Sequence, residues 1–458
     1  MKKRITALLL SLAMVFALGA PQVLAEGDAA MEGTPAARDI EAAEDGQAAE
    51  AARSAVPAED EQAAGAAEAD AETENVAENG AEDSGETAPS DPEGTLAFTS
   101  LRTRMLENYY PLRALQESID DIESHDYDWR YDRLRTDMNK LATAQWGLRM
   151  IFDYEGSAMF GAQYDQMRKE FDAIKDGEKQ KDDEEALRQY RNAQNQAVIA
   201  GESLYIMLKG LEAQDATLAR TIAQLGRSER EMRLRHELGQ ISELVVDQVS
   251  TGRAQAVSGR ETLRMNRETA LLQLESWVGA ELGEPLALGA LPKVTAQELA
   301  AMDLEADLEK ARSASYALFD AKKQLDDFRK NTYDKVIDAY GLNEKYFEVS
   351  QVKHALQAQT YNYENTLLTF ELNFRTLYAQ VKDCAQVLEA KRTALAGQEK
   401  SYAVSALKYK QGNISANALA DAEDELSSAK DEVASAEREL FSKYRSYTWA
   451  VDYGILNG

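Results

Sequence analysis

The sequence has a single cysteine, Cys384, and only three histidines and eight prolines in 458 residues. One cysteine excludes an intramolecular disulfide, so stability has to come from packing. His125, His236 and His354 are scattered with no partner pattern. There is no glycine-rich phosphate loop, no His-Glu-x-x-His, no cysteine pair and no Gly-x-Ser-x-Gly elbow. An enzyme is therefore not expected, nor a metal or cofactor. Past the first 25 residues, no segment offers the roughly 18 consecutive apolar residues that a membrane-spanning helix needs. Period-two alternation bounded by turn residues, the mark of a strand, is missing as well.

What is present begins with an export signal over residues 1–25. Lys2, Lys3 and Arg4 precede an apolar stretch from Ile5 to Leu18, and Val23-Leu24-Ala25 forms a small-residue cleavage site. Residues 26–97 carry 21 acids against Arg38 and Arg53, with almost no large apolar side chains. Such a segment cannot bury enough surface to offset its ordering entropy, so a disordered acidic tether is expected. The rest also carries excess acid within a formal net charge of −29. That argues against nucleic acid and anionic lipid surfaces as partners.

Five prolines fall in the first two segments, and Pro111 lies near the start of the folded region. Pro285 and Pro292 mark a linker at 281–294 between two halves, 98–280 and 295–458. The halves repeat one another. Leu204-Tyr205 answers to Leu377-Tyr378, and Gly239-Gln240-Ile241-Ser242 to Gly412-Asn413-Ile414-Ser415, both at an offset of 173. In the second half Val352, Leu356, Tyr363, Leu367, Phe370, Phe374, Leu377, Val381, Cys384, Leu388, Leu395 and Tyr402 form a heptad seam. It predicts a helix from about Glu344 to Gln411, roughly 100 Å long at 1.5 Å per residue. Cys384 lies on that seam and reads as a small core residue. Shorter helices are expected at about 301–340 and 416–450, flanking the long one. Thr295 and Glu298 form a capping box that opens the second half.

Gly239 and Gly412 each follow a long helical run, where glycine relieves a left-handed helix end. Ser242 and Ser415 then cap the returning helices, with Ile241/Val246 and Ile414/Leu419 as hydrophobic staples. Ser118-Ile-Asp-Asp121 resembles Gln324-Leu-Asp-Asp327 at an offset of 206, which leaves about 33 extra residues in the first half. They are expected at about 156–190, as a polar helical hairpin or a mobile loop. Trp277 and Trp449 close the two repeats and are expected to anchor the hairpin ends. The fold class is therefore all-α, two tandem repeats of long antiparallel coiled-coil hairpins.

A signal peptide, two helical repeats of this size, and Gly-x-Ile-Ser turns ahead of a Leu/Asp/Ala-rich helix resemble the TolC family of outer-membrane efflux proteins. The stretch Tyr409-Lys-Gln-Gly412-Asn-Ile-Ser415-Ala-Asn-Ala-Leu419-Ala-Asp421-Ala carries the strongest likeness; the first copy has His236 in place of Tyr409. The resemblance implies a homotrimer of double hairpins forming a twelve-helix tube, which docks a membrane-fusion adaptor and, through it, an inner-membrane pump. It assigns docking to Leu238, Gly239, Gln240, Ile241 and Ser242, and to Gln411, Gly412, Asn413, Ile414 and Ser415. It also implies an acidic constriction just past the second bend. Asp421 falls on one such position and Ala418 replaces the other, with Glu423 and Asp424 as substitutes. The family places β-strands between its helices, whereas the second half has only the short Ala339-Tyr340-Gly341-Leu342 turn there. A closed barrel needs about nine to eleven alternating residues per strand, so none is expected.

Two functions follow. One is an efflux conduit component that exports small molecules or peptides, in the outer membrane by resemblance or across a cell wall if no barrel forms. The other is an exported coiled-coil spacer or adhesin of the cell envelope with no channel.

Overall fold

Four long helices dominate the chain, and the reason is local. No proline interrupts 178–278 or 296–456, so nothing breaks the i→i−4 ladder. The computed structural model describes residues 94–283, 286–343 and 345–456. The expected export signal and residues 26–93 of the acidic segment lie outside the described residues; its last residues are ordered, with Leu96 buried in a short strand, which corrects the expected boundary at 97. In chain order the described elements are β1 (Thr95–Leu96), α1 (Leu101–Asn108), α2 (Tyr110–Glu123), α3 (Tyr127–Met150), α4 (Tyr154–Lys175), α5 (Glu178–Glu237) and α6 (Glu243–Val278). There follow β2 (Ala287–Leu288), α7 (Ala296–Ala301), α8 (Leu304–Ala314), α9 (Tyr316–Phe328), α10 (Asp334–Tyr340), α11 (Phe347–Lys410) and α12 (Ala416–Tyr453). A π-helical turn, Arg329–Tyr333, joins α9 to α10.

The fold is all-α and duplicated. Helix α5 packs antiparallel on α6, α11 on α12, and α5 also packs on α12, which joins the two hairpins. With 60 and 64 residues, α5 and α11 run roughly 90–96 Å at 1.5 Å per residue. The 173-residue offset is exact at the helix ends: α5 and α11 stop at Glu237 and Lys410, and α6 and α12 start at Glu243 and Ala416. On α11, Phe370, Phe374, Leu377, Val381 and Leu388 are buried against Ala436, Leu440, Tyr447 and Ala450 of α12 and Leu308, Ala311 and Leu318 of α8 and α9. Full burial of such a side chain contributes about 1.5–3 kcal/mol, so the seam supplies most of this hairpin's cohesion. Cys384 packs against the same core, and burial pushes its thiol pKa up.

Ion pairs tie both hairpins: Lys391–Glu432 and Arg392–Glu437 join α11 to α12, and further pairs join α5 to α6. Glu212 meets Arg267 at 2.8 Å, Asp215 meets Arg260 at 2.7 Å, and the buried Glu229 meets Arg253 at 3.1 Å. The hydrogen bond from Arg260 holds the Asp215 carboxyl below its ordinary pKa.

Each repeat opens with a kinked pair of short helices. Tyr109 separates α1 from α2 at φ −75°, ψ 109°, and Ser315 separates α8 from α9 at φ −71°, ψ 115°. These kinks lie 206 residues apart, the offset at which Ser118–Asp121 resembles Gln324–Asp327. The unbroken helix expected over 301–340 is therefore corrected to α8, α9, a π-turn and α10. The kink lacks a proline or glycine because its cause is tertiary. Gly454, which ends α12 at φ +62°, lies so close that a Cβ there would sit 2.3 Å from Ser315 Cα and 2.7 Å from Ala311 O. At the first kink Pro111 occupies the first turn of α2, and Gly279, which ends α6 at φ +70°, lies against the Asn108 side chain.

The extra residues of the first repeat form a helical hairpin, α3 and α4, packed on each other. Its span, 127–175, differs from the expected 156–190, since residues 178–190 already belong to α5. Charged side chains at both ends of the segment obscured where the extra turn falls. Strands are not wholly missing either: β1 and β2 pair in parallel, Thr95 with Ala287 and Leu96 with Leu288. Two residues each are too few to alternate visibly. The buried Tyr205 hydroxyl clamps this ladder, 2.9 Å from Leu96 O and 3.0 Å from Gly289 O.

Gly454→Ala adds both left-handed strain and a backbone overlap, and should lower stability by about 3 kcal/mol. Gly412→Ala, whose Cβ would meet nothing within 4 Å, should cost only about 1 kcal/mol. Urea unfolding of both variants measures the difference.

Candidate functional site

The two bends predicted as docking tips have the same backbone. Leu238 and Gln411 are the C-caps, and Gly239 and Gly412 follow at φ +73° and +76°. Gly239 N–H donates to His236 O at 2.8 Å, and Gln240 N–H to Arg235 O at 2.9 Å. In the second copy Gly412 N–H donates to Tyr409 O and Asn413 N–H to Lys408 O, both at 2.9 Å. This paired 5→2 and 6→1 pattern is a Schellman motif, which satisfies the last helical carbonyls. A left-handed φ favours glycine at both positions.

The returning helices start less evenly. Ser415 caps α12 by accepting from Ala418 N–H at 3.2 Å. Ser242 has the extended cap conformation but makes no side-chain cap bond, which corrects the expectation of two equal caps. Its place is taken by the backbone, with Val245 N–H donating to Ser242 O at 3.2 Å, while His236 Nδ1 lies 3.1 Å from Ile241 O. The staple residues Ile241, Ile414 and Leu419 are half-buried and Val246 is buried.

Gln240, Ser242, Gln411, Asn413 and Ser415 are exposed, as are both bend glycines. So are large apolar side chains: the predicted Leu238, with Leu234 and Leu244, at the first bend, and Leu407 and Tyr409 at the second. Their signal in the sequence is a leucine on a helix face that is otherwise polar.

The three acids past the second bend are not equivalent. Asp424 is ion-paired with Arg227 of α5, and Asp421 lies 3.7 Å from the same guanidinium. Glu423 is exposed and makes no ion pair among the described residues. Nearby, Arg220 pairs with Asp431, and Asn417 donates to Glu231 at 3.3 Å. Together these contacts tie the bend-proximal part of α12 to α5. No group of three or more metal-ligating side chains occurs among the described residues.

The expected Trp anchors also differ from each other. Trp449 is buried, and its indole N–H donates to Glu202 at 2.7 Å. Trp277 is half-buried and stacks near Tyr109, with ring centroids 5.4 Å apart. Both pack near the helix-ending glycines.

Because Arg227 joins α5 to α12 near the bends, Arg227→Ala should release them locally. Hydrogen exchange should quicken about tenfold over residues 225–237 and 416–425 and stay unchanged over 196–208.

Neither a family model nor a curated protein matches the sequence. Among solved structures, the outer-membrane channel OprN is similar at 15% identity, over 78% of this chain and 90% of that chain, with a TM-score of 0.49. The channel-forming CusC is similar at 15% identity, over 78% of this chain and 96% of that chain, with a TM-score of 0.42. The outer-membrane protein VceC of Vibrio cholerae is similar at 13% identity, over 60% and 74%, with a TM-score of 0.40. With TM-scores below one half, these stand as likenesses only, and the bends are read from their own geometry.

Proposed function

We propose that the chain is the protomer of an efflux conduit in the cell envelope. Three copies assemble their hairpins side by side into a helical tube, and the glycine bends dock a membrane-fusion adaptor that leads to an inner-membrane pump. The observation that carries this reading is the pair of bends. Two copies of one Schellman turn, 173 residues apart, each expose apolar side chains beside a tight backbone turn. A solvated bend has no need of Leu238 or Leu407, whereas a contact surface gains from burying them. Lateral assembly has its own support in Met265 and Leu272 of α6 and Leu368 and Leu372 of α11, all exposed in the single chain.

The work required of such a protomer is mechanical. The tube supplies a path, and the ties at Arg227 and Arg220 hold the bend end closed until docking shifts them. An acidic constriction, where formed, rests on Glu423 and the exposed Asp421, which meets Arg227 only at 3.7 Å, whereas Asp424 pairs with it closely. The cargo of this reading is small molecules or peptides.

The full chain should sediment at three times its 50.7 kDa mass. A photo-crosslinking residue at Gln240 or Asn413 should capture an adaptor in the producing cells. A strictly monomeric chain with no crosslinked adaptor would contradict the conduit and favour the spacer or adhesin.

A further inference from the structure

The α3–α4 hairpin ends in a third Schellman bend, with a different residue at its centre. Phe152 N–H donates to Arg149 O at 3.2 Å and Asp153 N–H to Leu148 O at 3.0 Å, the pattern of the bends at Gly239 and Gly412. Phe152 has φ +61°, and among the described residues every other positive-φ position is glycine. A bulky side chain is disfavoured in this conformation. The ring is not kept for internal packing, because Phe152 is 76% exposed and Ile151 beside it is 70% exposed. Trp146, Met150, Tyr154 and Met159 around them are exposed as well.

The hairpin's own contacts lie further back. Tyr131 stacks on Phe171 at 4.5 Å, Arg130 pairs with Glu170 at 2.7 Å, and Leu134, Met138 and Ile174 are buried. At its base His125 and Tyr127 both hold Asp183 of α5. The apex thus stands clear of the hairpin's anchor.

The apex lacks the excess acid of the rest of the molecule: over residues 139–155 Lys140 and Arg149 balance Asp153 and Glu155. Residues 139–152 contain Lys140 and Arg149 and no acid, in a chain of net charge −29. Lys140 pairs with Asp137, while Arg149, three residues before Phe152, makes no ion pair among the described residues. Acids return at Asp153, which caps α4 by accepting from Gly156 N–H at 3.0 Å, and at Glu155. An aromatic and aliphatic tip with a free guanidinium behind it matches a phospholipid interface: acyl chains take the apolar side chains, indole and phenol rings sit at headgroup level, and phosphate meets the cation. No helix among the described residues is long and apolar enough to cross a membrane, so the match is to shallow insertion.

We infer that the α3–α4 apex is a membrane-inserting tip, which anchors the chain to a phospholipid surface through Ile151 and Phe152, with Arg149 on the headgroup phosphates. This does not rest on the conduit reading. The bend between α10 and α11, which exposes Leu342 and Phe347, is a second apolar turn but has no such strained residue.

The test is flotation of the full chain with phosphatidylcholine vesicles, together with quenching of tryptophan fluorescence by acyl-brominated phosphatidylcholine. The wild type should float, and its quenching should disappear in Trp146→Phe. Ile151→Asp/Phe152→Asp should reduce flotation about tenfold or more with an unchanged circular dichroism spectrum, since neither side chain is buried. Phe152→Gly should raise the urea midpoint yet weaken flotation, which separates a lipid-facing role from a structural one. Absence of wild-type flotation, equal flotation of the double Asp variant, or a lower urea midpoint for Phe152→Gly would overturn the inference. So would loss of a lipid-free oligomer in the double variant, which would make the apex a contact between copies.

Discussion

A buried carboxylate stands at the centre of the contact between the two repeats. Glu202, near the middle of α5, receives two hydrogen bonds from Arg445 at 2.8 and 2.7 Å and a third from the Trp449 indole at 2.7 Å. Both partners belong to α12, more than 240 residues later. A buried carboxylate without partners is costly, and three charge-assisted bonds reverse that balance. Arg102 of α1 adds a cation–π contact to Trp449 at 5.5 Å and donates to the Tyr453 hydroxyl at 2.9 Å. One turn along α5, Tyr205 clamps the short β-ladder. The same two turns of helix therefore fix the first repeat, the inter-repeat linker and the second hairpin together.

From that fixed region the hairpins reach outward with different chemistry at their ends. Toward the glycine bends the contacts between α5 and α12 are ionic, through the half-buried pairs of Arg220 and Arg227. In the middle Phe98 lies edge-on to both Tyr205 of α5 and Phe441 of α12, and within the second repeat the Tyr447 hydroxyl of α12 donates to the buried Asp307 of α8 at 2.6 Å. Burial and the neighbouring Asp307 carboxylate raise the Tyr447 phenol well above its ordinary pKa.

Much of this was legible in the sequence, and the reason is periodicity. The α11 seam from Val352 to Leu388 is a heptad series that only a long helix can use, and the bends show themselves by glycine, isoleucine and serine at fixed spacing. The parts that escaped depend on contacts between distant residues. Ser315 is one of many serines that could cap a helix, and its Oγ accepts from Leu318 N–H; the backbone of Gly454 packed against it fixes the break there. Glu202 and Arg445 look like two more surface charges in an acidic chain until α5 and α12 are brought together. Ser242 has the right type and place for a cap and makes no cap bond, because the first bend closes through its backbone. The α3–α4 hairpin was visible as surplus length, while its apex was not, since Phe152 occupies a conformation that sequence rules reserve for glycine.

The most direct measurement is a double-mutant cycle on the full chain with Glu202→Ala, Arg445→Ala and the pair, followed by urea unfolding. Each single change should cost about 3 kcal/mol and the pair little more than either, a coupling of about 2–3 kcal/mol. Costs that add to within about 0.5 kcal/mol would contradict it and leave the two hairpins held together by something else.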